Sequence, residues 1–496
     1  PQVAAEIAPI ATVSELGYLT VNMNIDPKDW WAPNAERIHA TTLRQVEAGL
    51  GNIVLLHDAG GNRSQTVEAL PRIIEDLRAR GYRFVTASEL VGLTPDDVMP
   101  VSARAGGVVS AIDGMGFSLL RFGEMALSVT FMLAIGLGIS RAVLLIILSA
   151  LRKRPAVHLR PATTGPKVGI IVPAYNEEKV VANTVRSLLA STYRNYEILI
   201  VDDGSRDGTV AACEREFGDD PRVRIFTKPN GGKSSALNFG FARTDAEIVV
   251  ALDADTIFDP HTIGWLAARF VNPKIGAVAG NANVGNRINL LTRWQATEYI
   301  TSQNLDRRAF EFLNCVTVVP GAVGAWRREA VLALGGFTSN TLAEDADLTI
   351  RLLRAGHKVV YEERAIALTE APETSKQLFK QRFRWMFGML QTTVKHSDAL
   401  TLRDSRSVGL IALPHIFVFQ ILFSFVAPVA DIVALVALGD LAIKVMTDSS
   451  MMSTGQIAMF LALFFSFIVL DFMTGVAAFR LERNEDWRLL LWLPLQ

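Results

Sequence analysis

The chain has 496 residues, half of them hydrophobic, and a positive mean hydropathy of +0.27. This length is too great for a single hydrophobic core, so several structural units are expected. The net charge of −1 excludes a broad basic surface, and we expect no nucleic-acid partner. The two cysteines, Cys213 and Cys315, have neither a metal-ligand spacing nor the pattern of a disulfide framework.

Residues 1–95 alternate between strand-like and helical patterns, which is typical of a small α/β unit. The run TVNMNIDPKDWW predicts a strand that leads into a turn, residues 35–48 predict a helix, and NIVLLHDAGG predicts a second strand. The next helix ends at Gly81 and precedes a short strand. A linker rich in proline, glycine and small residues is predicted over 96–116.

A long apolar segment, residues 117–151, predicts the first membrane-spanning helix. Arg152, Lys153 and Arg154 follow it directly, and a basic cluster of this kind marks the cytoplasmic side of a membrane. A buried core helix is the alternative, which the charge clustered at one end disfavours. We therefore predict one crossing here, from outside to inside.

Two further apolar stretches, residues 408–445 and 456–479, predict membrane helices nearer the end of the chain. The first contains Pro414 and Pro428 and fits either one crossing plus a surface helix or two crossings. The region after the first membrane helix and the arginines after the last stretch are both expected inside, so an even number of crossings separates them. One crossing in each stretch is the simplest count.

The apolar run LLLWLPLQ occupies residues 489–496. Because the sequence starts at Pro1 without a methionine and ends within this run, we expect the chain to be cut from something longer. The run would then be the start of a truncated membrane helix.

Residues 166–374 alternate regularly between strand and helix patterns, which predicts a mostly parallel, doubly wound α/β sheet. The predicted strands are 168–172, 198–201, 223–227 and 248–252, and the predicted helices are 178–189, 209–217 and 234–242. In a sheet of this kind, ligands collect where the strands end at their carboxyl edge.

The stretch EIVVALDADT, residues 247–256, ends a buried strand at two aspartates, Asp253 and Asp255. Side chains two residues apart on an extended segment share a face, so both carboxylates can point at one ligand. Two hard oxygen donors suit Mg²⁺ or Mn²⁺, which binds through one or two carboxylates and substrate phosphates. The alternative is a solvated acidic turn that caps the next helix.

Two other strand ends carry residues suited to a nucleotide. In VDDGSRDGT, Asp202 and Asp203 lie at a strand's carboxyl edge, where carboxylates can accept hydrogen bonds from a base or ribose. Turn formation by Gly204 and helix capping by Asp207 are the alternative uses of this motif. In KPNGGKSSALNFG, Lys233 stands at a helix start, a position that attracts phosphate.

Five motifs in order give residues 166–390 a resemblance to the processive family-2 glycosyltransferases, which include cellulose, chitin, hyaluronan and poly-N-acetylglucosamine synthases. These motifs are VDDGS, DAD, VPGAVGAWRRE at 319–329, LAEDADLTIRL at 342–352 and QRFRW at 381–385. The resemblance implies a GT-A type nucleotide-sugar transferase domain flanked by transmembrane helices. It also implies a UDP-sugar donor, a growing polysaccharide as acceptor and a metal-bound diphosphate.

The resemblance also implies a role for each motif residue. Asp345 matches the general base, and Trp385 the residue that contacts the product. Those that match nucleotide-sugar contacts are Asp203, Asp253, Gln381 and Arg384, and Asp202 and Lys233 are added from their positions at a strand end and a helix start. Asp253 and Asp255 match the metal pair, with Asp255 expected as the metal ligand and Asp253 facing the nucleotide.

Residues 375–396 form a basic, aromatic and amphipathic pattern, which predicts a helix on the cytoplasmic membrane surface. This gives QRFRW an alternative use in binding lipid headgroups, a role that Lys380 and Arg382 are expected to serve. The acidic cluster AEDAD likewise has an alternative use as an N-terminal helix cap, which fits Asp347.

The stretch 55–86 resembles the end of a polysaccharide deacetylase domain of the nodulation-protein type, and DPKDWW at 26–31 resembles an earlier motif of that family. His57 falls on the family's histidine acid. The Asp-Asp motif and the His-x-x-x-His ligands are missing, so the region is expected to be an inactive, partial α/β domain. A packed strand-end histidine is the alternative interpretation of His57.

These observations predict a multi-pass protein of the cell (inner) membrane, with the transferase domain in the cytoplasm and the N-terminal region outside. We expect it to polymerise a UDP-sugar into a β-linked polysaccharide. The deacetylase-like neighbour favours UDP-N-acetylglucosamine, because deacetylases act on N-acetyl groups. Transfer of a single sugar to a lipid or short acceptor, and a cellulose- or hyaluronan-type synthase, are the alternatives. Linkage, chain length and the need for an accessory membrane subunit stay open.

Overall fold

The structure is a computed structural model that describes residues 21–31, 34–59, 63–94, 97, 108–152, 160–402, 405–447, 454–482 and 486–495. The chain divides into two compact units, Pro1–Phe122 and Gly123–Gln496. Much of the predicted linker 96–116 lies outside the described residues, as do Lys153 and Arg154 of the predicted basic cluster. The end of the predicted linker is wrong, because residues 108–116 belong to the helix Val108–Leu151.

The first unit is mainly helical in its described part. Its helices are α1 (Ala35–Glu47), α2 (Ser64–Ala79) and α3 (Ala87–Leu90). The two longer helices bury Ile38 and Ile73 together with Ile25. The predicted strands are wrong in extent: Ile25 and Val54 form one isolated parallel bridge, and residues 82–86 form no strand. An isolated pair of short extended segments does not sustain a sheet without further strands.

The second unit is built on one eight-stranded sheet with the order β3-β2-β1-β4-β7-β6-β8-β5. Its strands are β1 (Val168–Ala174), β2 (Tyr196–Asp202), β3 (Val223–Thr227), β4 (Ile248–Ala251), β5 (Ile257–Phe258), β6 (Ile275–Val284), β7 (Gly324–Arg327) and β8 (Lys358–Thr369).

Helices connect these strands and continue beyond the sheet. They are α4 (Val108–Leu151), α5 (Val181–Leu189), α6 (Thr209–Phe217), α7 (Lys233–Arg243), α8 (Thr262–Arg269), α9 (Leu290–Glu298), α10 (Leu305–Phe312), α11 (Arg328–Ala333), α12 (Glu344–Arg354) and α13 (Ser375–Lys395). A π-helical segment, Tyr299–Asn304, joins α9 to α10. A short 3₁₀ helix, Ser397–Leu400, follows α13.

The predicted strands and helices between β1 and β4 agree with the structure to within three residues at each end. The predicted helix 178–189 begins later, at Val181, because the preceding residues form a turn. In that turn the Glu178 side chain accepts a hydrogen bond from Gly208 N at 3.1 Å. Val168 and the other β1 residues are almost entirely buried, as expected for a central strand covered on both faces.

The sheet is mixed rather than uniformly parallel. β1, β2, β3 and β4 pair in parallel, whereas β7 is antiparallel to both of its neighbours, β4 and β6. β5 is antiparallel to β8. The parallel half therefore places the carboxyl ends of four neighbouring strands at one edge, as the sequence predicted.

Three helical stretches are long and apolar enough to cross a membrane: Met125–Leu151, Val408–Ile443 and Ile457–Leu481. They correspond to the three predicted membrane segments. The second belongs to one helical run that alternates π and α geometry. The run comprises Val408–Ala412 (π), α14 (Leu413–His415), Ile416–Leu422 (π) and α15 (Phe423–Thr447).

The last membrane-length stretch lies within α16 (Thr454–Leu481). The residues predicted to begin a further crossing form a 3₁₀ helix, Trp487–Leu495. Leu489, Leu490 and Leu493 of this helix are buried. The Leu493 side chain packs close to Gly475 of α16.

Arg152 at the end of α4 is buried in the second unit and is not free to mark a membrane surface. Its guanidinium contacts Glu311 at 2.5 Å and Glu363 at 3.0 Å, and it donates to the Tyr361 carbonyl at 2.6 Å. Glu311 also binds Arg269 at 2.8 Å. Arg152 therefore joins the membrane-length helix to the strand β8 through paired, buried charges.

We predict that Arg152→Ala lowers the free energy of unfolding by about 3–5 kcal/mol, because removing one partner leaves a buried carboxylate uncompensated. The matched control is Arg186→Ala, which breaks an ion pair with Glu216 between partly exposed side chains. That change is expected to cost less than about 1 kcal/mol. Thermal unfolding of the detergent-solubilised protein measures both, and equal shifts would contradict the anchoring role of Arg152.

Candidate active site

Asp202 and Asp203 at the end of β2 organise the neighbouring loops. Asp202 is buried and accepts hydrogen bonds from Gly204 N at 3.2 Å and from Ser205 N, so it shapes the turn. Gly204 has a φ of +79°, which favours glycine at this turn. Asp203 accepts from Gly231 N at 3.0 Å and from Gly232 N at 2.7 Å. Asp203 thus fixes the glycine loop that leads into α7.

Asp253 and Asp255 follow β4, as the sequence predicted, and they lie among other acidic groups. Burial, then Asp253, then Glu370 raises the pKa of Asp255 to about 6. Burial, then Asp255, then Asp253 raises the pKa of Glu177 to about 7. Glu177 and Glu370 were not predicted as members of this group. Carboxylates that lack compensating charge in this way create a strongly negative position, which favours a cation.

Lys233 is the cation in this group, at the first residue of α7. Its ammonium contacts Asp253 and lies 3.6 Å from Glu344. Burial opposes the charge, but Asp253 and Glu344 outweigh it and raise the pKa of Lys233. Lys233 is therefore charged at neutral pH and stands beside the predicted diphosphate position.

Asp345 lies in the first turn of α12, on the other side of a narrow cleft lined by Lys233, Gly321 and Glu344. Its Oδ2 accepts a hydrogen bond from Gly321 N at 3.2 Å. A Cβ at residue 321 would lie 2.7 Å from Lys233 Nζ, so a side chain there would displace the lysine ammonium. Burial, then the charge of Glu344, raises the pKa of Asp345 to about 6, against the attraction of Lys233.

Asp347, two residues further along, has a different environment from Asp345. It is fully buried and accepts hydrogen bonds from four side-chain donors, and α12 has no side-chain cap, so the expected use as an N-terminal helix cap is wrong. The donors are Thr338 Oγ1 (2.9 Å), Arg351 Nε (2.9 Å), Lys395 Nζ (2.8 Å) and His396 Nε2 (2.9 Å). Burial opposes its ionisation, but hydrogen bonds from His396 and Lys395 outweigh burial and hold the pKa of Asp347 well below its usual range. Asp347 joins the end of α13 to the start of α12.

Helix α13 carries the QRFRW motif and begins at a capping box between Thr374 and Gln377. It approaches the loop before α12 closely at Gly388, where a Cβ would lie 2.7 Å from Ala343 N. Phe379, Phe383 and Phe387 are exposed on this helix at spacings of four residues. An exposed aromatic stripe on a basic helix fits the predicted location at a membrane surface.

The motif side chains differ in their surroundings. Gln381 has a buried Oε1 without a hydrogen-bond partner among the described residues, and Arg384 is exposed. The Arg382 guanidinium lies 4.7 Å from the centre of the Trp385 ring and forms an ion pair at 2.5 Å with Glu298. Arg382 therefore supports Trp385, and headgroup binding by Lys380 and Arg382 stays a prediction. The orphaned oxygen of Gln381 is available to a ligand.

His57 belongs to the first unit. Its Nδ1 lies 2.8 Å from Asp29 Oδ1, and its backbone N–H donates to Asp29 Oδ2 at 2.9 Å. Asp29 is fully buried and also accepts from Thr66 Oγ1 at 2.9 Å. The carboxylate thus orients the imidazole, and Nδ1 is the nitrogen it holds.

Residues 166–388 match the family described as "Glycosyltransferase like family 2". This region is a family 2 glycosyltransferase domain. Two curated relatives of the domain are named poly-β-1,6-N-acetyl-D-glucosamine synthase. That of Staphylococcus aureus strain COL is 29% identical over 240 residues, which is 48% of this chain and 58% of the relative. That of Staphylococcus epidermidis is 31% identical over 223 residues, which is 45% and 54%. The chain therefore spans little more than half the length of these relatives.

The mannosyltransferase PcManGT from Pyrobaculum calidifontis, solved in complex with GDP-Man and Mn²⁺, has a similar fold. It aligns with a TM-score of 0.51 and 20% identity, over 72% of this chain and 96% of that protein. At this identity the likeness concerns the fold alone. The glycosyltransferase domain has a GT-A-like α/β fold with a mixed sheet.

We predict that Asp345→Asn reduces sugar transfer by at least about 100-fold while UDP binding is retained, because a positioned general base contributes 10²–10⁴-fold. In the unsubstituted enzyme, kcat/KM should rise with pH through about 6 and level off above it, since only the ionised carboxylate accepts a proton. Initial rates measured from pH 5 to 8 check both statements. Unaltered transfer in Asp345→Asn would exclude Asp345 as the base.

Proposed function

We propose that the protein is a membrane-embedded inverting glycosyltransferase that polymerises UDP-N-acetylglucosamine into a β-linked polysaccharide. The observation that carries this proposal is the combination of a half-buried carboxylate, Asp345, with the acidic pair Asp253 and Asp255 in one domain. Relatives of that domain, at 29–31% identity, are named poly-β-1,6-N-acetyl-D-glucosamine synthases. Three membrane-length helices on both sides of the domain support synthesis at a bilayer.

The proposed reaction is a single displacement at the anomeric carbon. The acceptor hydroxyl oxygen attacks C1 of the donor sugar, the C1–O bond to the diphosphate breaks, and UDP leaves with the bonding electron pair. Asp345 takes the hydroxyl proton as the new bond forms. Its pKa of about 6 keeps it ionised at neutral pH and basic enough to accept that proton. The Lys233 ammonium is proposed to bind the diphosphate, with Gln381 and Arg384 as further contacts.

The residues present fit a divalent cation. In the described part of the chain no three His, Cys, Asp or Glu side chains form a complete ligand group. Asp255 and Asp253 would therefore hold Mg²⁺ or Mn²⁺ together with substrate phosphates, which is the usual arrangement for Mg²⁺. The raised pKa of Asp255 supports this assignment, because this carboxylate has no compensating cation of its own. When bound, the cation neutralises charge that develops on the leaving diphosphate.

Two further contacts are proposed, one with the nucleotide and one with the product. Asp203 is proposed to contact the uridine, with Asp202 holding the turn beside it. Trp385 is proposed to stack against the product sugar, because a flat indole face suits a pyranose ring. Arg382 covers part of this ring and Tyr299 lies 6.5 Å away between ring centres, so the indole is held in a fixed orientation.

We propose that the glycosyltransferase domain lies in the cytoplasm and that α13 lies on the membrane surface with its phenylalanine stripe in the lipid. The N-terminal region would then be extracytoplasmic, where the polymer emerges. Its resemblance to part of a polysaccharide deacetylase stays a prediction. The His57–Asp29 pair supports that resemblance, since an oriented imidazole with a free Nε2 suits an acid. Transfer of a single sugar to a lipid remains the alternative function.

The test is incorporation of radiolabelled sugar by membranes that contain the protein, offered UDP-N-acetylglucosamine, UDP-glucose or UDP-glucuronate separately. We expect label from UDP-N-acetylglucosamine alone to enter material of high molecular mass. Membranes with Asp345→Asn are the control and should incorporate none. Label found only in a lipid carrying one sugar would support the alternative, and incorporation from UDP-glucose alone would contradict the proposed donor.

A further inference from the structure

Three arginines are buried in the described part of the chain: Arg152, Arg307 and Arg308. Arg152 forms ion pairs with Glu311 and Glu363, as described above. Arg308 contacts Glu482 at 2.9 Å and Glu363 at 3.3 Å. Arg307 is 8% exposed and has no carboxylate within 4.0 Å among the described residues. A buried charge without a counter-charge is costly, so it indicates a group that awaits a ligand.

Hydrogen bonds among neighbouring side-chain amides orient the Arg307 guanidinium. Asn281 Nδ2 donates to Glu482 Oε2 at 2.8 Å, and Asn304 Nδ2 donates to Asn281 Oδ1 at 2.7 Å. This sequence of bonds turns Asn304 Oδ1 toward Arg307 Nη1, which donates to it at 3.0 Å. The contact of Nη2 with Gln303 is long, at 3.5 Å. A guanidinium has five N–H donors, so most of those on Arg307 have no protein acceptor in the described residues.

Arg307 lies close to the groups assigned to the acceptor. Burial lowers the pKa of its guanidinium, and Tyr361, Tyr299 and Asp345 act in the opposite direction. Tyr299 and Arg307 belong to the π-helical segment and the helix that continues it, eight residues apart. π-Helical turns are rare and occur frequently at functional sites. The Tyr299 ring centre lies 6.5 Å from that of Trp385, so the π-helical segment that precedes Arg307 reaches the proposed product contact.

An uncharged ligand fits this position better than a phosphate. The carboxylates of Asp345 and of Asp306, the preceding residue, would repel a dianion. Asp306 is itself held by Arg141 of α4 at 2.8 Å, so it does not neutralise Arg307. The diphosphate already has Lys233, another neighbour of Asp345, as its proposed cation. A saccharide offers several hydroxyl and carbonyl oxygens that accept hydrogen bonds without adding charge.

We propose that Arg307 binds the acceptor saccharide, donating hydrogen bonds to hydroxyl or N-acetyl oxygens of the sugar that presents its hydroxyl to Asp345. This inference rests on the proposed function and adds a residue that sets acceptor affinity. Arg307 is then retained for binding rather than for folding. Its loss should weaken the acceptor complex and leave the fold intact, because no carboxylate in the described residues would lose its counter-charge.

The test compares Arg307→Gln, Arg307→Lys and the control Arg308→Gln in the full chain. The ligands are UDP and a β-1,6-linked N-acetylglucosamine trisaccharide, with trisaccharide binding followed by calorimetry and transfer by its KM. Arg307→Gln should raise the Kd and KM for the trisaccharide by at least about 10-fold, the worth of one charged hydrogen bond. Its UDP affinity and melting temperature should not fall. Arg307→Lys should recover part of the affinity.

Arg308→Gln should instead lower the melting temperature, because Glu482 loses its counter-charge. Unchanged trisaccharide binding in Arg307→Gln would overturn the proposal, and so would a loss of UDP affinity, which would assign Arg307 to the diphosphate. A melting temperature lowered as much as in Arg308→Gln would assign it a structural role. Absence of polymer from the unsubstituted protein would contradict the proposed function instead, and calorimetry would still decide on Arg307.

Discussion

The register of the parallel strands β1, β2 and β4 is the constraint on which the site depends. Ala174 pairs with Asp202, and Ile171 pairs with Ala251, so the three strands end at the same edge. Asp203 and Asp253 lie in the loops just after β2 and β4, so their carboxylates are close to the strand ends. A shift of one residue in β4 would turn its side chains to the other face and separate the carboxylates from Lys233.

Neighbouring charges then give carboxylates in this region different pKa values. Asp345 and Asp347 are two residues apart in α12, yet the pKa of Asp345 is raised and that of Asp347 is lowered. The difference arises because Asp347 accepts from three basic side chains, whereas Asp345 has Glu344 as a neighbour and accepts from the backbone N–H groups of Gly321 and Ala346. Asp347 thus binds the end of α13, whereas Asp345 stays basic at the cleft. A similar contrast separates Arg308 from Arg307.

Much of the domain could be predicted from local patterns, because buried strands such as β1 and β4 are continuous apolar runs that end in aspartates or turns. The motif residues Asp253 and Asp255 could be found in the same way, whereas Asp345 was predicted from the resemblance to family-2 glycosyltransferases. Partners contributed by distant segments could not. The ion pairs of Arg152 with Glu311 and of Arg382 with Glu298 join residues more than 80 positions apart.

The first unit shows the opposite limitation. Its alternating runs around Ile25 and Val54 resemble strands in the sequence, but a strand requires neighbours that local pattern does not report, and a single bridge results. Arg307 was missed for a related reason. Nothing in the sequence LDRRAFEF distinguishes Arg307 from Arg308 until the positions of Glu482 and Glu363 are known.

The most direct test of this account is a structure of the full chain bound to UDP-N-acetylglucosamine and Mn²⁺. The account predicts that the cation lies between the diphosphate and Asp255, with Lys233 on the phosphate and the Asp345 carboxylate facing the anomeric carbon from the acceptor side. A nucleotide bound away from the carboxyl edge of β1, β2 and β4 would contradict it. An anomeric carbon turned away from Asp345 would contradict it equally.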